Sequence, residues 1–349
     1  MRFCKVFMTL AAVVIISASP ASAQEIVINA VGDIMLAGSG ATTCKRLGYD
    51  YPFIETKAEL KKSDITIGNL ESPIARGGNI FTCKRFHYRS APEAATALKN
   101  AGFSLVTLAN NHMMDFGPEA LEETLQHLEK AGIGYTGAGA SIKMARRRTV
   151  ITVKGIKVAF LAYSLTFPDA FYATAERSGT APGFYAFYRN DIAAARKVAD
   201  YVVVSFHWGT ENVAVPKPYQ MATAHSAIDA GADVVIGHHP HVLQGIERYK
   251  NGVIFYSLGN FTFGTASETA RRSIIARVIL ETGVKGVELI PLNVLNREVH
   301  FQPKVLSGKE GRDVIDHLTR ISRKWNTIIT ATGGHYLVSM GKAEQTALK

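Results

Sequence analysis

Short apolar runs rich in β-branched residues recur along this 349-residue chain, and most are followed at once by polar, chemistry-bearing side chains. The runs are Ile26 to Val31, Ile65 to Gly68, Leu105 to Leu108, Val158 to Tyr163, Val202 to Phe206, Val234 to Gly237 and Val253 to Ser257. Their length and composition predict buried strands. Helical patterns fall between several of them, over Pro92 to Ala101, Pro118 to Ala131, Asn190 to Ala199 and Pro218 to Ala230. Three of these open on Pro and are followed by Gly102, Gly132 or Gly231, the asymmetry that helix ends favour. Strands alternating with helices predict an α/β sheet covered by helices. Ser273 to Leu280 and Gly286 to Leu292 alternate like a hairpin or sheet addition, and Gly311 to Lys324 reads as a terminal helix.

The first 23 residues are of another kind. Arg2 and Lys5 precede an apolar run from Val6 to Ile16, and Ala21, Ser22 and Ala23 place small residues before Gln24. That order predicts a secretory signal peptide over 1–23, with an uncleaved anchor as the alternative, and hence a periplasmic or extracellular protein. Lys and Arg total 39 against 29 Asp and Glu, an excess that falls to eight once Arg2 and Lys5 are removed. Such a balance favours a polyanion, a phosphorylated ligand or a lipid surface as partner. Nucleic acid is not predicted, because no basic run carries interleaved aromatics. Cys44 and Cys83 remain after the leader. In an oxidising compartment they either pair or stay as two free thiols, and the pairing is the expectation.

In an open α/β sheet, ligands gather beyond the carboxyl ends of the strands, so polar residues there carry the most weight. Asp33 follows the first run, Asn69 and Glu71 the second, and Asn110, Asn111, His112 and Asp115 the third. His207 and Glu211 follow the fifth, and His238, His239 and His241 the sixth, with Gly259 and Asn260 after the last. Singly, each has a plain explanation: Asp33 as a turn former, Glu71 and Asn69 as turn or cap before Pro73, one Asn as an N-cap, His207 as a packed side chain. Three histidines within four positions resist that explanation, since buried imidazoles need partners. Imidazole, carboxylate and amide donors together suit Zn, Mn, Fe or Mg, and the lack of a Cys pair argues against a thiolate site. His239 and His241 are expected to face one way on an extended segment held by Pro240.

Six segments occur here in a fixed order: GDIML (Gly32 to Leu36), GNLESPI (Gly68 to Ile74), LANNHMMDFG (Leu108 to Gly117), FHWGTE (Phe206 to Glu211), GHHPHVLQGIE (Gly237 to Glu247) and FYSLGNFTF (Phe255 to Phe263). They occur in this order in CapA-like proteins, and the chain resembles that family, named for capsule and poly-γ-glutamate synthesis. The resemblance implies a calcineurin-like metallophosphoesterase fold, an α/β layered sandwich of two mixed β-sheets flanked by α-helices. One domain over 24–349 is then expected, with a core of about 26–265 and the sheet addition and terminal helix in 266–349.

Carried over by motif, the resemblance makes Asp33 a ligand of one ion, Glu71 a bridging carboxylate and Asn111 an amide ligand, with His207, His239 and His241 completing a site for one or two divalent ions. It makes His112 the general acid, positioned by Asn110 and Asp115. Arg89, in Tyr88-Arg89-Ser90, aligns with the family's anion-binding Arg, and Glu211 and Gln244 are motif members grouped with it as substrate-binding. Met35 stands where the wider superfamily has a His, leaving one metal site a ligand short, and Gly264 stands where many relatives carry Asp.

Two functions fit these residues. One is an exported metal-dependent hydrolase acting on a phosphoester or on an amide in an anionic polymer, with His112 protonating the leaving group. The other is a non-catalytic capsule assembly or export component that holds a polyanion for membrane capsule-synthesis proteins.

Overall fold

A computed structural model of the protein describes residues 24–340, so the expected leader at 1–23 lies outside the described residues. The strands are β1 (Ile26–Ile34), β2 (Ile65–Leu70), β3 (Leu105–Thr107), β4 (Gly134–Thr136), β5 (Ala138–Gly139), β6 (Thr149–Val153), β7 (Ile156–Ser164) and β8 (Gly179–Thr180). They continue with β9 (Tyr201–His207), β10 (Val234–His238), β11 (Ile246–Tyr249), β12 (Gly252–Phe255), β13 (Arg272–Leu280) and β14 (Val284–Asn293). Last come β15 (Lys304–Val305), β16 (Ile329–Thr332) and β17 (His335–Val338), and the helices are α1 (Ser39–Leu47), α2 (Lys57–Leu60), α3 (Glu93–Ala101), α4 (Gly117–Ala131), α5 (Ile142–Ala145), α6 (Tyr185–Arg196), α7 (Pro218–Asp229), α8 (Asn296–Val299) and α9 (Gly308–Ser322). One mixed sheet runs in the order β16-β17-β14-β13-β1-β2-β3-β4, with β15 on β14, and a second in the order β11-β12-β10-β9-β7-β6. β5 and β8 form a short ladder of their own.

The period-two alternation of buried side chains explains the layers. Val158, Phe160, Val203, Val234 and Ile236 of the second sheet pack with Ile26, Ile28, Ile65, Ile67 and Leu105 of the first, forming a core between the sheets. The alternate residues Ala159, Leu161, Tyr163, Val202, Val204 and Phe206 face outward. They are covered by α6 (Tyr185–Arg196) and α7 (Pro218–Asp229). On the other side α3 (Glu93–Ala101) and α4 (Gly117–Ala131) cover Val31, Val106 and Leu108. The predicted sandwich of two mixed sheets between helices is therefore the observed architecture. Among the described residues no helix is long and apolar enough to cross a membrane.

Strand β1 is irregular near its carboxyl end. The β1–β2 register slips between Ala30 and Asp33. Ile26, Ile28 and Ala30 face the inter-sheet core, whereas Val31 and Ile34 both face the helices, three positions apart. Strict alternation would put Asp33 on the face of Val31, so the slip re-aims the carboxylate.

The expected bridge between Cys44 and Cys83 is absent. Cys44 lies on α1 (Ser39–Leu47) and is buried in the helix-side core, while Cys83 is exposed, and both are free. Packing among apolar neighbours encloses the Cys44 sulfur, while Cys83 stays on the exposed surface.

Candidate metal centre

The carboxyl ends of β1, β2, β9 and β10 converge with the turn after β3. His207 and His238 are the last residues of their strands and pair directly across the parallel ladder. The two sheets are stitched together here by backbone bonds, Asp33 N donating to Gly259 O at 3.0 Å and Phe261 N donating to Asp33 O at 2.8 Å. Gly32 is required at this joint, because a Cβ there would lie 2.0 Å from Gly259 O.

The segment from His238 to His241 is a turn and not the extended stretch expected. His239 and His241 adopt φ of 91° and 58° on either side of Pro240. A non-glycine residue in that region costs about 1–3 kcal/mol, and such outliers cluster at functional sites. Here the turn aims both rings inward, their centroids 5.8 Å apart. His239 N also donates to Asp33 Oδ2 at 3.1 Å.

Three groups of side chains each offer ligand atoms lying within 4.8 Å of one another: Asp33, Glu71 and His241; Glu71, His207 and His239; and Glu211, His239 and His241. Glu71 belongs to the first two, the place of a carboxylate shared between ions. Glu71 Oε1 lies 3.5 Å from His207 Nε2 and 3.7 Å from His241 Nε2. His241 Nδ1 is 3.2 Å from Asp33 Oδ2 and 2.9 Å from Asn260 Oδ1. His207 Nε2 meets Asn111 Oδ1 at 2.8 Å, which brings the amide to the same place. Among the described residues Glu71 Oε1 and His239 Nδ1 are buried with no hydrogen-bond partner. Buried polar atoms are almost always satisfied, so orphaned oxygen and nitrogen donors converging on one point fit a divalent cation.

The charges of the cluster are set by burial and mutual contact. Burial drives the Asp33 carboxyl up, but the imidazoles of His238 and His241 outweigh it and hold Asp33 well below the usual range. Burial, with Asp33 nearby, pushes Glu71 well above its usual value. His207 is pushed well down by burial and by His239, and His239 falls to about 3 through burial and His241. His241 is raised to about 10 because Glu71 and Asp33 overcome its burial.

Beside the ligands stands an imidazole with a fixed tautomer. His112 Nδ1 donates to Asp115 Oδ2 at 2.7 Å, and Tyr88 N donates to the same oxygen at 2.8 Å. Lys84 Nζ donates to Asp115 Oδ1 at 2.6 Å, lies 3.0 Å from His112 Nδ1 and also reaches Asn111 O. Burial lowers the pKa of His112 despite Asp115. Asn110 acts one step back: its Oδ1 accepts from His112 N at 3.1 Å, and its Nδ2 donates to Leu70 O at 2.8 Å. It fixes the backbone of His112 and not the ring. It caps no helix, since α4 begins only at Gly117.

Two expected substrate contacts are engaged elsewhere. Arg89 Nη1 donates to Gly77 O at 2.7 Å and its guanidinium stacks 4.2 Å from the centre of the Phe116 ring. Gln244 is buried, its Oε1 accepting from Gln220 Nε2 at 3.0 Å and its Nε2 donating to Val213 O at 2.8 Å. Both are used in holding the local structure together. Glu211 is exposed at the rim of the histidines. The cation that reaches the site is Lys84, which lies in an irregular loop with no periodicity to single it out. His238 has no separate role in the motif reading, yet its Nδ1 sits 3.1 Å from Asp33 Oδ1. Asn69 is a further hub, with Nδ2 donating to Asp33 Oδ1 at 2.9 Å and Oδ1 accepting from Asn110 Nδ2 at 3.1 Å.

Residues 27–265 match a family model described as bacterial capsule synthesis protein PGA_cap. The chain is 35% identical over 279 residues to the capsule biosynthesis protein CapA of Bacillus anthracis, covering 78% of this chain and 68% of that protein. It is 32% identical over 318 residues to the PGA biosynthesis protein CapA of Bacillus subtilis (strain 168), covering 84% and 83%. Among solved structures it is similar to the calcineurin-like phosphoesterase YfkN of Bacillus subtilis, at 13% identity and a TM-score of 0.44, covering 85% of this chain and 97% of that one. It is similar also to the NAD nucleotidase NadN of Haemophilus influenzae, at 14% identity and a TM-score of 0.47, covering 86% and 63%.

Proposed function

The chain belongs to the bacterial capsule synthesis family PGA_cap, and from that premise we propose that it is an exported, metal-dependent hydrolase of capsule or poly-glutamate metabolism. Its substrate in this reading is anionic, a carboxylate-rich polymer or a phosphorylated precursor, and its partners are the membrane proteins of capsule synthesis. The observation that carries the proposal is the pair of buried, unpartnered atoms Glu71 Oε1 and His239 Nδ1 within a set of converging ligands.

Asp33, Glu71, Asn111, His207, His239 and His241 are the residues that would hold one or two ions. When bound, a divalent ion polarises the electrophilic centre and makes water a nucleophile at neutral pH. The chain's own residues then handle protons and position. Asp115 fixes Nδ1–H of His112 and leaves Nε2 facing the site; because burial favours the neutral ring, Nε2 must first take up a proton, and the Asp115 carboxylate stabilises the imidazolium that then passes this proton to the leaving group. Lys84 balances the Asp115 carboxylate. Asn69 steadies Asp33.

Metal analysis of the mature protein, with turnover of phosphomonoesters, phosphodiesters and poly-γ-glutamate, tests this beside His112→Ala and His239→Ala. The expected result is bound metal, turnover lost in His112→Ala with metal retained, and metal depleted in His239→Ala. Absence of metal after reconstitution would overturn the proposal. Metal without turnover of any of the three would move the function to polymer holding.

A further inference from the structure

A second concave surface lies at the edge of the second sheet, just ahead of β6. It encloses about 580 Å³ and is lined by Lys143, Arg146, Arg147, Arg148, Asp191 and Leu161 among others. Its one carboxylate is already satisfied. Arg146 binds Asp191 through two nitrogens, at 2.9 Å and 2.8 Å, and Tyr163 OH donates to the same group at 2.9 Å. Arg146 is further held by the Phe187 ring, 3.8 Å from its guanidinium. Among the described residues the side chains of Lys143, Arg147 and Arg148 make no ion pair or hydrogen bond, so the groove presents three cations without a bonded partner on a fixed floor, Arg147 standing at the border with a neighbouring hollow that also holds Glu129.

The register places this groove relative to the metal centre. Thr149 pairs with Phe160, and Ser164, four residues further along β7, pairs with His207. Residues 143–148 precede Thr149 and so lie on the His207 side of it, with β6 two strands from β9. At about 3.3 Å per residue and 4.8 Å per strand, the separation from His207 is on the order of 15 Å. That is a few repeat units of an extended polymer.

We infer that this groove binds a run of carboxylates in an anionic polyamide chain and feeds that chain toward the metal centre. Single charges repeated along a chain suit three cations that have no bonded partner: each carboxylate needs one, and a flexible chain can meet all three at once. The inference rests on the proposed hydrolase for its direction of travel, whereas the binding itself does not depend on metal.

The test is binding of poly-γ-glutamate to the metal-loaded wild type and to the triple variant Lys143→Glu, Arg147→Glu, Arg148→Glu, over a salt series. A control with the same change of charge, Lys304→Glu, Lys309→Glu, Arg312→Glu, alters exposed residues on and before the terminal helix. The groove variant is expected to bind the polymer at least about tenfold more weakly with a flatter salt dependence, and the control to bind like the wild type. Metal content and turnover of small phosphoesters should be unchanged in both. Equal losses in the two variants, no loss in the groove variant, no polymer binding by the wild type, or equally tight binding of duplex DNA would each overturn the inference. A specific loss in the groove variant of a protein that proves metal-free would retain the groove and sink the hydrolase.

Discussion

Asp115 Oδ2 stands 2.7 Å from His112 Nδ1, and that contact decides which ring nitrogen is free to exchange a proton. Asp115→Asn keeps the shape but removes the charge that holds the tautomer. Turnover is expected to fall about 10²–10⁴-fold while metal content stays at the wild-type level. Single-turnover rates beside metal analysis check this, and an unaltered rate would remove Asp115 from the positioning of His112.

Metal uptake by the metal-free protein should release protons. Although burial opposes it, Glu71 and Asp33 keep His241 protonated up to about 10, and an ion binds only the neutral ring. Below that pH each ion must displace a proton, so affinity rises as pH rises through neutrality. For each proton displaced, Kd should fall about tenfold per pH unit. Calorimetry at two pH values, in buffers of different ionisation enthalpy, measures both quantities, and a Kd that does not move with pH contradicts the charge arrangement.

Gly32→Ala should lower stability by about 3 kcal/mol, since its methyl group would occupy the space of Gly259 O at the joint between the sheets. Gly286→Ala, where the added carbon meets nothing within 4 Å, should change stability by less than about 0.5 kcal/mol. Urea midpoints compare the two. Similar midpoints would mean that the joint is looser than its geometry.

Thiol labelling of the native protein should modify Cys83 and spare Cys44 until the protein unfolds. Burial pushes the Cys44 thiol up to about 12, whereas Cys83 is exposed. Peptide mapping after a native pulse distinguishes the sites. A disulfide-linked peptide would contradict the two free thiols of the structure.

Much of the site was legible because its residues sit where strands end, and strand ends are marked by a change from β-branched to polar residues. The aspartate at 33 and histidines at 207 and 239 are of this kind. Turn geometry was not legible: Pro240 suggests extension, but Asp33 accepting from His239 N favours the left-handed turn. Lys84 escaped because a loop cation is recognised only by what the folded chain brings to it. Helix α6 begins at Tyr185, five residues before the expected start, because tertiary packing of Tyr188 extends it through an aromatic stretch that lacks a cap signal. The hairpin of β16 and β17 was legible in principle, since Gly333-Gly334 divides two alternating runs.

The ligands are divided between the sheets, with Asp33 and Glu71 on one and His207, His239 and His241 on the other. A folding intermediate that has built a single sheet owns half a coordination sphere and has no means of gripping an ion tightly. On the proposed metal reading, an ion would therefore not template early folding: it would be captured only by molecules whose two halves have docked, and its rate of capture during refolding would time that docking.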